Sequence, residues 1–290
     1  MSKENLTKDE LTNQISEEEG FQIKYLTHLQ IGIIYFLFSF FSIILQLLVF
    51  SSFYYKRELL KRKCFIIIFH HGVLSFIQQI CHILTSIIII FYIQKIELLL
   101  TIIGSLLNST FIGSILFIFL LTLNRFDVFY NLNFFNIIEK RKFYHYAIIV
   151  CYILIVGLFS IYLYPSFSTT FDLKIYQWKY VHSKNCHLGY QLENKTIYIF
   201  LGISFLLQAL IVIKIFKLRC YTSKPILLIY ENFRILIHAF MCFVTTLFLE
   251  LIWSGIIFKF YWKGSWLILP TILFIFHSVS NSIFILCFVK

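Results

Sequence analysis

Charge is scarce in this chain. Asp, Glu, Lys and Arg make up 13% of its 290 residues, about half the share usual in a soluble globular domain. Acid is scarcer than base, with 14 Asp and Glu against 25 Lys and Arg. Proline occurs only at Pro165, Pro225 and Pro270, so most long helices would run without a proline kink. Ten glycines are present, and none belongs to a Gly-rich phosphate loop. There is no zinc-spaced motif and no carboxylate pair within one apolar run. Phosphoryl transfer, metal-dependent hydrolysis and paired-carboxylate chemistry therefore lack their residue constellations. The expectation is a protein that is not an enzyme and uses no cofactor or metal. Internal repeats of the kind found in secondary transporters are also missing, as are charged rings or filter repeats of a pore.

What fills the chain is apolar sequence. Hydrophobic residues make up 59% and aromatic ones 20%. They fall into seven runs, at 31–54, 65–92, 98–123, 144–164, 197–216, 235–258 and 266–289. Crossing a hydrocarbon core takes about 20 apolar residues in a helix, and each run meets that length. Backbone groups in lipid must bond internally, so helices are the expected form. The long unbroken runs exclude the short alternating strands of a membrane barrel. The expected fold is an all-α seven-transmembrane helix bundle, with residues 1–30 forming a polar external segment and 31–290 the membrane domain.

Lys and Arg set the orientation. Fifteen of the 25 basic residues lie in or beside the links after spans 1, 3 and 5 or at the C-terminal end, among them Lys56, Arg57, Lys61, Arg62, Lys63, Lys140, Arg141 and Lys142. Only four acidic residues share that side, Glu58, Asp127, Glu139 and Glu231, so it carries the whole net charge of +11. The positive-inside rule makes it cytoplasmic, with the N-terminus outside and the C-terminus inside. The basic clusters read as topology signals and contacts with anionic inner-leaflet lipid, not as a nucleic-acid surface. Residues 1–30 show no basic segment followed by a short apolar one, so no cleavable signal peptide is expected. Sequons at Asn5 and Asn194 fall on the outer side and are candidate glycosylation sites. A third, at Asn108, lies within span 3. The seven cysteines form no disulfide framework, and only Cys186 is clearly external.

Polar residues inside the spans are the candidate site. In span 2, His71, Ser75, Gln78, His82 and Thr85 follow a 4, 3, 4, 3 spacing that keeps them on one helical face. Such a face turns into the bundle, either towards a ligand or as interhelical hydrogen bonding. The simpler reading is the second. Span 3 carries Thr101, Ser105, Asn108 and Ser109, span 5 Gln208, and span 7 His277 and Asn281 on a shared face. Glu250 in span 6 is the one acidic residue clearly within a span. It is a functional candidate by its depth, and Trp253 lies one turn outward. At the inner end of span 3, Asn124 and Arg125 stand at the membrane boundary, where an arginine ordinarily snorkels to water. The pocket candidates are Gln78, His82, Ser105, Asn108, Gln208, Glu250 and His277. The aromatic content suits an apolar ligand and equally suits lipid exposure.

Seven spans with an external N-terminus, Asn124-Arg125-Phe126 closing span 3 and Asn281-Ser282-Ile283-Phe284 in span 7 resemble a G-protein-coupled receptor. The last stretch is similar to an Asn-Pro-x-x-Tyr motif, with Ser282 in place of Pro and Ile285 in place of Tyr. Lys63-Cys64-Phe65-Ile66-Ile67 entering span 2, and Leu123-Asn124-Arg125, look like the nematode serpentine chemoreceptors of the Srt and Srx types. The resemblance covers residues 31–290. It implies an external small-molecule ligand, coupling to a heterotrimeric G protein through Asn124 and Arg125, a switch role for Asn281, and a plasma-membrane or sensory ciliary location. The chain departs from the pattern in several ways. Asn124 replaces the usual acidic neighbour of Arg125, span 2 has no aspartate, and span 6 has no proline. No cysteine at the outer end of span 3 can pair with Cys186, which leaves Cys81 as the conceivable partner on that side. An inverted-topology ligand-gated channel receptor and a small-solute transporter are the alternatives. The charge asymmetry argues against the first, and the absence of repeats and the scarcity of intramembrane charge against the second.

Overall fold

The computed structural model describes residues 26–93, 96–130, 140–181, 186–221, 226–254 and 268–288. Seven helices long and apolar enough to cross a membrane dominate it. They are α1 (His28–Tyr55), α2 (Lys63–Ile90), α3 (Glu97–Tyr130), α4 (Lys140–Leu163), α5 (Cys186–Tyr221), α6 (Ile226–Trp253) and α7 (Leu269–Phe288). This is the pattern of a multi-pass membrane protein.

Local chemistry sets several ends. Thr27 caps α1 reciprocally: its hydroxyl accepts from the Gln30 N–H at 3.3 Å, and the Gln30 side chain accepts from the Thr27 N–H at 2.9 Å. That is a capping box, which satisfies two otherwise orphaned donors. Helix α4 stops two residues before Pro165, whose ring disfavours helical geometry in the residue preceding it. Pro270 is the second residue of α7, where its missing N–H costs nothing.

Several boundaries differ from the hydropathy reading. Helix α3 runs on through Arg125 to Tyr130, because no Gly or Pro follows the apolar run to stop it. Helix α5 begins at Cys186, eleven residues before its apolar run, so Asn194 sits in a helix and not in a loop. Helix α6 starts at Ile226, nine residues before its apolar run, and ends at Trp253, five residues short of the end of that run; α7 begins at Leu269, three residues into its run, and 255–267 lie outside the described residues. The N-terminal segment, including Asn5, also lies outside them.

Helix α3 is the hub. It packs against α2, α4, α5 and α6, and 78% of its apolar window is buried, against 22% for α4 and α5. Helix α1 lies on α2 and α7. The exposed faces of α1, α4 and α5 carry Leu, Ile and Phe, such as Leu37, Phe41, Ile153 and Leu206, which is what a lipid-facing surface requires. Gly113 lets α4 close on α3: a Cβ there would meet Ile155 Cδ1 at 2.5 Å. Many internal hydroxyls bond back to the carbonyl four residues earlier, among them Ser42, Thr85, Ser86, Ser114 and Thr122. These groups are satisfied within their own helices.

The all-α expectation needs one correction. Between α4 and α5 the chain forms an antiparallel hairpin, β1 (Thr169–Asp172) with β2 (Gln177–Tyr180), in the register Thr169 to Tyr180 and Asp172 to Gln177. Phe171 and Trp178 are a cross-strand pair buried against the bundle, their rings edge to face at 5.3 Å. Tyr176 closes the turn with φ of 55°. Its carbonyl accepts from Thr271 Oγ1 at 2.9 Å and from the Tyr35 hydroxyl at 3.4 Å. Those bonds tie the turn to α7 and α1. The other side of the hairpin lies on α3, where a Cβ at Gly104 would meet the Thr169 Oγ1 at 2.6 Å and the Thr169 carbonyl oxygen at 2.8 Å.

Candidate functional site

The hairpin roofs a small cavity. Asn108 and Phe111 of α3, Thr169, Trp178, Lys179 and Tyr180 of the hairpin, Glu193 of α5, Leu249, Glu250 and Trp253 of α6, and Phe274 of α7 line it. Its volume is about 30 Å³, close to one water's share of liquid volume. Asn108 Nδ2 donates to Thr169 Oγ1 at 3.4 Å and fastens the roof to α3. Tyr180 donates its hydroxyl to Glu193 Oε2, and the Tyr162 hydroxyl reaches the same oxygen at 3.5 Å. Glu250 is 2% exposed, and its Oε1 has no hydrogen-bond partner among the described residues. Lys179 is bound by Asp172 at 2.5 Å. Burial alone would raise the Asp172 carboxyl. Hydrogen bonds from Lys179 and from the Lys174 N–H, with the Lys179 charge, outweigh it and hold the group below its usual carboxylate value.

Of the seven pocket candidates, Asn108 and Glu250 line this cavity. Three others form the layer beneath it. His277 Nε2 lies 3.0 Å from Thr246 Oγ1, and its ring meets Phe111 edge on at 5.2 Å. The His82 ring meets Phe274 in the same way at 5.2 Å. Gln78 Nε2 donates to Ser114 Oγ at 3.1 Å, and next to it Gln79 Nε2 donates to the Ser278 carbonyl at 3.1 Å. Gln208 donates to Thr122 Oγ1 at 3.3 Å, linking α5 to α3. Ser105 bonds back to the Thr101 carbonyl at 2.7 Å. The span 2 stripe of His71, Ser75, Gln78, His82 and Thr85 is buried throughout. The contacts described for Gln78 and His82 run to neighbouring helices and not into the cavity.

Deeper in the bundle, Asn281 Oδ1 lies 3.1 Å from His238 Nε2, which joins α7 to α6. Ser282 donates to Gln46 Oε1 and joins α7 to α1. At the far end Arg125 is 3% exposed and donates from Nη2 to Asn124 Oδ1 at 2.9 Å. It is a buried guanidinium and not a snorkelling one, because α3 continues past it and α2 and α4 pack alongside. Asp127, two residues on, is also buried. Cys81 is a free buried thiol, so it does not serve as a disulfide partner for Cys186.

Sequence reasoning passed over Trp178, Tyr180 and Glu193. The alternation in Thr169–Asp172 and Gln177–Tyr180 was the available signal for the first two. Glu193 lies four residues before the apolar run, where hydropathy gives no sign of a helix. Among the described residues, no group of three or more His, Cys, Asp or Glu is placed to hold a metal ion. No family model matches the chain, and no curated protein matches it.

Proposed function

We propose that this protein is a chemosensory G-protein-coupled receptor, with the hairpin end outside and the basic end in the cytoplasm. A small external molecule binds in the cavity under the hairpin. A heterotrimeric G protein docks at the opposite end, around Asn124, Arg125 and the basic links. The observation that carries this reading is the separation of the two ends. A roofed cavity with two carboxylates lies at one, and a buried arginine amid the chain's positive charge lies at the other. The charge asymmetry supports the orientation.

Between them, the chain of contacts from His277 and Thr246 to His238 and Asn281 joins α6 to α7 through single hydrogen bonds. A ligand shifts such an equilibrium only by its differential affinity for the two arrangements. Phe111 and Phe274 touch both the cavity and this layer, so a ligand pressing on them biases the packing of α7 against α3. Asn281 serves as the switch residue in this scheme.

The test is nucleotide exchange on a panel of purified G proteins by the reconstituted full chain, with Arg125→Ala beside it. The reading expects basal or ligand-stimulated exchange from the parent and none from the variant at equal folded amount, judged by thermal melting. Exchange that survives Arg125→Ala removes the assigned role of that residue. An N-terminus found on the cytosolic side overturns the receptor orientation and brings the inverted channel receptor forward.

A further inference from the structure

Two carboxylates face one cavity of about 30 Å³. Removing a carboxylate from water is costly unless an opposite charge or hydrogen bonds replace the lost solvation. Glu193 has its replacement in the Tyr180 and Tyr162 hydroxyls. Glu250 Oε1 has none among the described residues. Among the described residues, the one cation lining the cavity is Lys179, and it is held by Asp172. The rest of the wall is dominated by the rings of Trp178, Trp253, Phe111 and Phe274, whose faces attract cations.

We propose that the ligand of this cavity is a small primary or secondary ammonium ion, held between Glu250 and Glu193 and surrounded by the four rings. The inference rests on the receptor reading for its biological sense but not for its chemistry. The vacant acceptor on Glu250 calls for a cation that carries N–H donors, which a quaternary ammonium lacks. Charge-assisted hydrogen bonds of this kind are the strong ones. At about 30 Å³ the cavity has room for an ammonium head of about the size of one water. A metal ion fits less well, since two carboxylates with aromatic walls supply too few oxygen ligands for a hard cation.

The experiment uses the full chain purified in lipid nanodiscs. Its melting temperature and binding isotherms are followed with methylamine, butylamine and 2-phenylethylamine. The comparators are the matching alcohols and carboxylates, tetramethylammonium, and sodium and calcium chlorides. Stabilisation by at least one of the amines, exceeding that by its alcohol and by tetramethylammonium, is expected. Glu250→Gln, which keeps shape and removes charge, is expected to weaken amine binding about tenfold or more, with Glu193→Gln acting in the same direction. The proposal is overturned if no amine in the series stabilises the folded protein, if alcohols or metal ions do so equally, or if both Gln variants bind amines as the parent does. Amine binding without nucleotide exchange on any G protein keeps this site and defeats the receptor reading. Exchange driven by a neutral compound, with amines inert, does the reverse.

Discussion

Single side chains decide how tightly the hairpin sits. Gly104 is there because the Thr169 backbone comes within reach of its missing Cβ. Gly104→Val forces the hairpin away from α3, and a loss of about 1–3 kcal/mol is expected, as for other overpacked contacts. Thermal melting in nanodiscs measures it, and an unchanged melting temperature would mean that the close approach is absent in solution. Asn281 tests the buried layer. Asn281→Ala removes the oxygen partner of His238 Nε2 and leaves that buried nitrogen only the weak contact with Cys242 Sγ at 3.8 Å, which costs about 1–3 kcal/mol. If Asn281 is the switch, basal nucleotide exchange changes by more than the melting temperature predicts. A fall in stability with basal exchange per folded molecule unchanged would make Asn281 purely structural.

At the scale of the element, the hairpin is held by few bonds, so it is the part most open to manipulation. Thr271→Val with Tyr35→Phe removes both side-chain donors to the Tyr176 carbonyl. About 1 kcal/mol per bond is expected, read as faster hydrogen exchange in residues 169–180 with the helices unchanged. The Asp172–Lys179 pair adds a pH dependence. Asp172 titrates below its ordinary 3.8, so its contribution is present at pH above that value and is lost as pH falls through the lowered one. With Lys179 substantially exposed, the pair contributes about 0.2–1 kcal/mol. Asp172→Asn is expected to speed exchange in the hairpin at pH 7 and to flatten the acid response. An acid response identical in parent and variant would assign it to other carboxyls.

For the whole molecule, the separation of a carboxylate-lined cavity from a basic end makes orientation the property to measure. Modification at Asn5, with a C-terminal tag reachable only after permeabilisation, is the expected result. Asn194 is expected to stay unmodified, because it lies half-buried in α5 and the modifying enzyme needs an accessible extended chain. Glycan at Asn194 would show that the first turns of α5 open.

Much of the helical architecture is legible in the residues alone, for a plain reason. Burying about 20 apolar residues in lipid leaves the backbone one economical form, so run length and composition decide it without reference to neighbours. The inward faces of α2 and α7 follow from helical periodicity in the same way. Three features needed the tertiary structure. The hairpin strands are four residues each, too short for alternation to stand out from chance, and they are held by contacts with α1, α3 and α7. Helix α5 starts before its apolar run, and in that polar first part Glu193 finds partners in the hairpin and α4, Tyr180 and Tyr162. The polar side chains sort into layers by which helix lies opposite. Periodicity gives the direction in which His82, Gln208 or Glu250 points; only packing decides whether it meets a phenylalanine, a threonine or a cavity.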